Sequence, residues 1–253
     1  MPDRDPNWWR SFFEREGAVE LSHFPSALET RREIAALPRL LQLGPDDAVL
    51  DVCCGPGRHV LGLALRGNPV VGLDIAHEMV RLTHQRLQVR KRPGEVVRGE
   101  AQRLPFRDAA FDHAIHLFNS FGYMETDEEN YAVLPEIARC LRPGGRLLLE
   151  TRNRDQQIAT VPISFPLRLP DGRLGNMTCT WDPVRQRLTS RWSAADGSGR
   201  AVYYASIRLY TLDEWHRMFA RAGLNVLGVY GDYEAKPFAR MSRQLIFLCE
   251  RGP

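Results

Sequence analysis

Two carboxylates and two glycines stand in an order that predicts a ligand site. An apolar run ends at Asp51, Gly55 and Gly57 follow, and a second apolar run ends at Asp74. The order strand, acid, glycine turn, helix, strand, acid is that of a nucleotide-binding βαβ unit. Glycine permits the tight turn, and the amides that begin the helix attract an anionic group. The segment therefore predicts a nucleotide-like ligand at the strand ends.

The position of the first acid indicates which ligand this is. A dinucleotide fingerprint has a third glycine where this chain has Val60, and Asp51 would repel a pyrophosphate. The same carboxylate suits a ligand with an ammonium group. S-adenosylmethionine has an amino-acid end and a ribose but no phosphate, so the pattern favours it as the cofactor, with S-adenosylhomocysteine as the product.

Five markers in order resemble the class I S-adenosylmethionine-dependent methyltransferases. Asp51, Gly55 and Gly57 match the acid-x-x-x-G-x-G signature, and Asp74 ends the second strand. RGEAQRLPF, FDHAIHLFNSFGY and LRPGGRLLLE resemble the adenine-bracketing segment, the fourth strand with its loop, and the turn before the fifth strand. DVCCGPGR and NSFGY are similar to a bacterial subgroup with small-molecule substrates. The resemblance covers residues 47–153 and weakens toward the C-terminus.

The resemblance implies a cofactor site at the strand ends. Asp51 would act on the ammonium of the cofactor, Asp74 on the ribose hydroxyls, and Glu100 with the amide of Ala101 on the adenine. The full expected set of cofactor-binding residues is Asp51, Cys53, Gly55, Pro56, Gly57, Arg58, Asp74, Ile75, Met79, Glu100, Ala101, Leu117, Phe118, Trp9 and Thr30.

Ordinary structural roles stand beside these functional ones. Asp51 as a strand-end acid could bond turn amides, and Asp74 could cap the following helix. Glu100 could be a solvated loop acid. Trp8 and Trp9 could simply pack a helix onto the core, although a tryptophan face near a sulfonium would contribute about 0.5–2 kcal/mol of cation–π attraction.

Methyl transfer from a sulfonium is a displacement on an activated carbon, so the protein supplies mainly alignment and desolvation. Catalytic candidates are therefore sought after strands four and five and in the region that follows. His116 is the nearby group that titrates near neutrality, although a strand histidine is more often a packed core residue. The catalytic candidates are His116, Asn119 and Tyr123. The substrate-binding candidates are Ser120, Asn153, Arg154, Tyr203, Arg208 and Tyr210.

The loop after the fourth strand argues against nucleic-acid substrates. Nucleobase amino methyltransferases of this fold carry [DNS]-P-P-[YFW] there, to hold a flipped base; this chain has LFNS and lacks the Pro-Cys nucleophile of the cytosine-carbon enzymes. A small-molecule acceptor with a nitrogen or oxygen nucleophile is favoured, such as an amine or amino sugar. Two alternatives stay open: a non-catalytic module that binds the cofactor, and a nicotinamide-dependent oxidoreductase.

Bulk composition fits this interpretation. The chain has 253 residues, a formal net charge of +3 and five cysteines. That charge is too small to indicate nucleic acid, and no apolar run reaches the ~20 residues of a membrane span. The cysteines lack CxxC spacing, which predicts a reducing compartment and no structural metal. We expect a cytoplasmic protein.

The alternation of strands and helices predicts an α/β fold with a Rossmann-like, doubly wound, mostly parallel sheet of seven strands and an antiparallel last hairpin. A small antiparallel β meander is inserted before that hairpin. Strands are expected at 48–51, 69–74, 95–98, 111–117 and 146–151, and helices at 58–66, 76–90 and 127–141. The expected divisions are a helical lid at 1–43, the cofactor-binding core at 44–160, the β insert at 161–210 and the closing helix and hairpin at 211–253. The resemblance makes the insert a substrate cover or a homodimer contact.

Overall fold

The computed structural model describes residues 7–14, 25–91, 93–169, 172–195 and 201–253. Its main sheet contains strands β1 to β5, β10 and β11, with helices on both faces. The strands are β1 (Val49–Val52), β2 (Val70–Asp74), β3 (Glu95–Arg98), β4 (Phe111–His116), β5 (Leu141–Arg152), β10 (Leu224–Tyr230) and β11 (Gln244–Arg251). The helices are α1 (Trp8–Phe13), α2 (Ala27–Leu41), α3 (Arg58–Arg66), α4 (His77–Val89), α5 (Asp127–Tyr131), α6 (Val133–Cys140), α7 (Arg154–Thr160) and α8 (Leu212–Arg221).

The order of the strands confirms the predicted fold class. The sheet runs β10-β11-β5-β4-β1-β2-β3, and β11 is antiparallel to both β5 and β10. The other neighbours pair in parallel. The chain reverses its direction of strand addition between β1 and β4, and open α/β sheets bind ligands at the carboxyl ends of the strands beside such a reversal.

Helix α3 lies close to the sheet although it lacks the third glycine of a dinucleotide fold. Val60 is fully buried there, and it faces Gly72 of β2. A Cβ built on Gly72 would lie 2.8 Å from Cγ2 of Val60. In a dinucleotide fold the small residue that permits close helix–strand packing is on the helix, whereas here it is Gly72 on the strand.

The β insert is a separate antiparallel sheet of four strands in the order β6-β7-β8-β9, as expected. Its strands are β6 (Ile163–Arg168), β7 (Leu174–Asp182), β8 (Arg187–Ala194) and β9 (Ala201–Arg208). Met177 is paired with Trp192, Cys179 with Ser190, and Ser190 in turn with Ala205. Residues that pair in register share a face of the sheet, so these side chains form one continuous surface.

Two segments differ from the sequence-based expectation, and part of a third lies outside the described residues. The helix expected at 127–141 is divided at Ala132, because Pro135 has no amide hydrogen to continue the ladder from α5. Helix α7 was not expected; Asn153 caps it, its side chain accepting a hydrogen bond from the Asp155 amide. Of the N-terminal region expected to be helical, α1 and α2 are seen, and residues 15–24 lie outside the described part.

Candidate active site

One cavity of about 230 Å³ lies between the carboxyl ends of β1, β2 and β4 and the inner face of the β insert. Its sheet half is formed by the loops that follow those strands. The lining residues of the sheet half include Trp9, Asp51, Cys53, Cys54, Gly55, Arg58, His59, Asp74, Ile75, Met79, Glu100, Ala101, Leu117, Phe118, Asn119 and Ser120. We use the name insert half for the lining residues of the β insert together with further ones from α1, the loop after β4, β5 and α7. They include Trp8, Phe12, Phe13, Tyr123, Arg152, Gln157, Met177, Cys179, Leu188, Ser190, Trp192, Ala205 and Ile207.

Asp51 places an unpaired carboxylate oxygen in the sheet half. The residue is 2% exposed, and Oδ2 has no hydrogen-bond partner within the described part of the chain. Burial raises the pKa of Asp51 to about 8, although the nearby Arg58 guanidinium and the Val60 amide oppose the shift. A buried carboxylate with a free oxygen requires a cationic or donor partner.

Arg58 supplies the opposite charge from the first turn of α3. Its guanidinium pairs with the buried Glu33 of α2, donates to Oγ1 of Thr30 at 3.3 Å, and lies 5.0 Å from the centre of the Phe118 ring. One terminal nitrogen, Nη2, is buried without a partner among the described residues.

Asp51 and Arg58 do not form an ion pair with each other. Within the described part of the chain, the sheet half therefore holds an unpartnered carboxyl oxygen and an unpartnered guanidinium nitrogen. A ligand with an ammonium group and a carboxylate satisfies both atoms, which a phosphate does not. The residues present thus fit the amino-acid end of S-adenosylmethionine.

The chain can now be compared with known proteins. The profile of a family described as a methyltransferase domain matches residues 49–145. The chain is similar to the cypemycin N-terminal methyltransferase of a Streptomyces species, with 31% identity over 80% of this chain and 82% of that protein. This chain belongs to the class I S-adenosylmethionine-dependent methyltransferases. That membership displaces the nicotinamide oxidoreductase alternative.

Two further matches extend the likeness. A dTDP-3-amino-3,4,6-trideoxy-alpha-D-glucopyranose N,N-dimethyltransferase from Streptomyces venezuelae is 28% identical over 71% of this chain and 76% of that protein. The CcbJ methyltransferase from Streptomyces caelestis superposes with a TM-score of 0.79 at 19% identity, covering 96% of this chain and 98% of that one. The second match shows that the methyltransferase fold extends through the β insert.

Asp74 of this methyltransferase organises the glycine turn. Its Oδ2 accepts a hydrogen bond from the Gly55 amide at 2.8 Å, and Oδ1 accepts one from the Ala76 amide at 3.0 Å. Burial raises the pKa of Asp74. Ala76, not Asp74, is the N-cap of α4. Each carboxylate oxygen still has a second lone pair for a ligand hydroxyl.

Gly57 lies in the expected turn, and its close approach to α4 is a second reason for glycine there. Its φ is +77°, and a Cβ there would lie 2.5 Å from Cγ2 of Thr83 on α4. Glycine at this position therefore allows two helices to approach, and neither Gly57 nor Pro56 lines the cavity. Thr30 also lies outside the lining and acts through its hydrogen bond with Arg58.

Glu100 lies at the outer edge of the sheet half. Its carboxylate accepts a hydrogen bond from Arg10 of α1 at 2.8 Å, and its side chain is 45% exposed. Trp9 of the same helix is buried and lies under the Arg10 guanidinium. Glu100 therefore connects α1 to the cavity edge, and it is more exposed than Ala101, which follows it.

The loop after β4 is held in an uncommon backbone conformation. Phe118 and Asn119 have φ values of 60° and 62°, and the amide of Phe118 donates to Oε2 of Glu150 at 3.1 Å. The Tyr233 hydroxyl donates to the same oxygen at 2.8 Å. A non-glycine residue in this region costs of order 1–3 kcal/mol and persists only when neighbours impose it. Glu150 is thus a positioning residue that the sequence analysis missed.

His116 is not where a base would act. It is 1% exposed, it does not line the cavity, and its Nδ1 lies 3.1 Å from the Val52 carbonyl oxygen. Burial lowers the pKa of His116 to about 4. Asn119, Ser120 and Tyr123 do line the cavity. Burial raises the pKa of Tyr123, so its hydroxyl is a donor at neutral pH.

Five of the expected substrate-binding residues do not line the cavity. Tyr210 donates to Oδ1 of Asp127 at 2.9 Å and Arg208 to the same oxygen at 3.2 Å, which ties the insert to α5. The other three also have contacts outside the cavity. Asn153 caps α7, and Arg154 lies over the Trp181 ring. Tyr203 packs against the apolar cluster that contains Trp192.

The insert residues that do line the cavity alternate along β7, β8 and β9. Met177 and Cys179 are two residues apart, as are Ser190 and Trp192. This spacing of two was the available signal, because it places side chains on one face of a sheet. Polarity alone, which favours tyrosines and arginines, does not identify this face.

Within the described ranges, no helix is long and apolar enough to cross a membrane. No cluster of potential metal ligands is found in the same ranges.

Proposed function

We propose that this methyltransferase transfers a methyl group from S-adenosylmethionine to a nitrogen or oxygen nucleophile of a small-molecule acceptor under the β insert. The observation that carries the proposal is a pair of atoms in one cavity that have no partner among the described residues: the carboxyl oxygen Oδ2 of Asp51 and the guanidinium nitrogen Nη2 of Arg58. When bound, S-adenosylmethionine supplies an activated methyl group on a sulfonium.

Asp51 would accept hydrogen bonds from the ammonium group, and Arg58 would donate to the carboxylate. Asp74 would accept from the ribose hydroxyls through its remaining lone pairs. Ile75 and Met79 would pack on the nucleoside, and Glu100 with the Ala101 amide would meet the adenine. Cys53, Gly55, Leu117, Phe118 and Trp9 line the same half and would enclose the ligand.

The acceptor would lie in the insert half, against the alternating face of β7, β8 and β9. Relatives named as N-terminal and N,N-dimethyl transferases support a nitrogen nucleophile. Among the described residues of this half there is neither a carboxylate nor a histidine. The chain's contribution is therefore alignment and exclusion of water, and the acceptor must arrive with a free lone pair.

The proposal assigns a role to each of the four predicted divisions of the chain. Residues 1–43 would act as a lid, 44–160 as the cofactor-binding core, 161–210 as the substrate cover, and 211–253 would complete the sheet. The five unpaired cysteines support a reducing compartment such as the cytoplasm. A homodimer remains a prediction that light scattering would check.

Calorimetry with two ligands tests the cofactor half of the proposal. One ligand is S-adenosylmethionine and the other is 5′-methylthioadenosine, which lacks the amino-acid end. Arg58→Gln should weaken S-adenosylmethionine binding about 10- to 100-fold, as expected for a lost charged hydrogen bond of ~1.5–3 kcal/mol. Binding of methylthioadenosine should change less than about twofold, because that ligand offers Arg58 no carboxylate.

Arg142→Gln is the matched control, since Arg142 is an exposed arginine paired with Asp112 outside the cavity. Arg58→Lys retains a cation beside Glu33 and reports on folding. Equal loss of both ligands in a folded Arg58→Gln protein would contradict the assignment. A screen of small amines and phenols for released S-adenosylhomocysteine tests turnover, and tight binding without turnover on any acceptor would favour a non-catalytic module.

A further inference from the structure

The insert half of the cavity contains unpartnered hydrogen-bond donors. Three buried donor atoms have no partner in the described part of the chain: Nε of Arg152, Nε1 of Trp8 and Nε1 of Trp192. All three side chains line the cavity. Buried polar groups without partners are rare in folded proteins, and a ligand is one of the few explanations for them.

Arg152 is the single full charge among the described lining residues of this half. It ends β5, and no described carboxylate lies within ion-pair distance of it. The acids that line the cavity, Asp51, Asp74 and Glu100, all belong to the sheet half. A guanidinium in a largely apolar enclosure is stabilised by an anion, and a carboxylate can accept two parallel hydrogen bonds from it.

Tyr123 lines the same cavity as Arg152 and packs against the insert. Its ring centroid lies 5.6 Å from that of Trp8, and its side chain packs with Leu188 and Ile207 of the insert. Burial raises the pKa of the Tyr123 hydroxyl, and the Arg152 guanidinium opposes that shift. Arg152 and Tyr123 line the same cavity, which the inner face of the insert encloses.

We propose that the methyl acceptor carries an oxyanion, a carboxylate or a group of like charge and shape, on an apolar body, and that Arg152 binds it. The indole donors of Trp8 and Trp192 are further contacts for oxygen atoms of the same molecule. This inference rests on the proposed function and narrows its acceptor class. A cation at this point also disfavours an ammonium nearby, so an acceptor amine is held in its unprotonated, nucleophilic form.

Three probes that share one ring system test the proposal: indole-3-acetate, indole-3-acetamide and tryptamine. Their binding is measured by calorimetry on protein saturated with S-adenosylhomocysteine. The carboxylate should bind at least tenfold more tightly than the amide, and tryptamine should bind most weakly. Arg152→Gln should remove the preference for the carboxylate, while Arg152→Lys should retain part of it.

Arg146→Gln is the matched control, because Arg146 lies in the same strand and pairs with Glu250 at 3.4 Å. That variant should keep the wild-type preference. The proposal is overturned if the wild type binds no carboxylate probe, if it prefers the amide or tryptamine, or if a folded Arg152→Gln protein keeps its preference. Loss of S-adenosylhomocysteine binding in Arg152→Gln also overturns it, since Arg152 would then belong to the cofactor end.

Failure of the wild-type protein to bind S-adenosylhomocysteine is a different result. It would refute the proposed function itself. Binding of S-adenosylhomocysteine with no carboxylate preference would refute only the assignment of Arg152. The two failures are therefore distinguishable in one set of titrations.

Discussion

The sheet half and the insert half of the cavity differ in the polar atoms that they leave without partners. In the sheet half, one acceptor oxygen of Asp51 and one donor nitrogen of Arg58 lack partners among the described residues. In the insert half, the atoms that lack such partners are all donors, and the walls are mainly apolar. The first pattern suits a zwitterion, and the second suits an apolar molecule with acceptor oxygens. Two ligands that differ in charge would therefore favour different halves of the one cavity.

The two halves are also built differently. Residues of the sheet half come from short continuous segments at strand ends, where Cys53, Phe118 and Asn119 have left-handed backbone. Residues of the insert half come a few at a time from α1, the loop after β4, β5, α7 and the strands β7 to β9. The residues of the sheet half can therefore be found from local motifs, whereas those of the insert half come together only through the packing of distant segments.

The largest expected effect is that of Asp51→Asn. Affinity for S-adenosylmethionine should fall about 10- to 100-fold, because a charged hydrogen bond of ~1.5–3 kcal/mol is lost. Calorimetry with methylthioadenosine as the reference ligand checks this. Asp108→Asn, at an exposed acid, is the control and should change neither affinity.

The same variant should make the ligand-free protein more stable. Burial raises the pKa of Asp51 from 3.8 to about 8, so its ionisation opposes folding increasingly as the pH rises between those values. The gain in melting temperature of Asp51→Asn over wild type should therefore grow from pH 4 to pH 8 and then level off. A gain that shrinks with rising pH would contradict the burial of an unpaired carboxylate.

Substitution of two methionines should have an intermediate effect on ligand affinity and should distinguish the two halves of the cavity. Met79→Ala, in the sheet half, should weaken S-adenosylmethionine binding about three- to tenfold and leave indole-3-acetate binding unchanged. Met177→Ala, in the insert half, should do the reverse. Each loss follows from removing about 1 kcal/mol of apolar contact with the ligand. If both variants affect both ligands equally, the division of the cavity is wrong.

The smallest expected effect is that of His116→Gln. Because His116 is buried outside the cavity and its pKa is lowered to about 4, turnover of the folded variant should stay within about twofold of wild type. The dependence of kcat on pH between 6 and 8 should also be unchanged. A loss of turnover above tenfold, with cofactor affinity intact, would restore His116 as a candidate base.

Prediction from the sequence was most successful where position follows from local rules. The strands around Asp51 and Asp74 lie where expected, and Thr126 and Thr211 form capping boxes at the starts of α5 and α8. The sequence is least informative in the insert. Its polar residues predict substrate contacts for Arg208 and Tyr210, yet the side chains of both bind Asp127. A polar residue in a strand gives no local sign of which face will meet a ligand.

The sequence by itself determined the strand–glycine–helix unit, the cofactor class and the βα order of the core, because these follow from backbone geometry and charge within a few residues. Tertiary structure alone decided that Glu33 holds Arg58, that Glu150 holds the Phe118 amide, and that Arg152 lines the cavity with no carboxylate partner among the described residues. These pairings join residues far apart in the chain, and whether a charge is paired or left free depends on packing that no local pattern encodes.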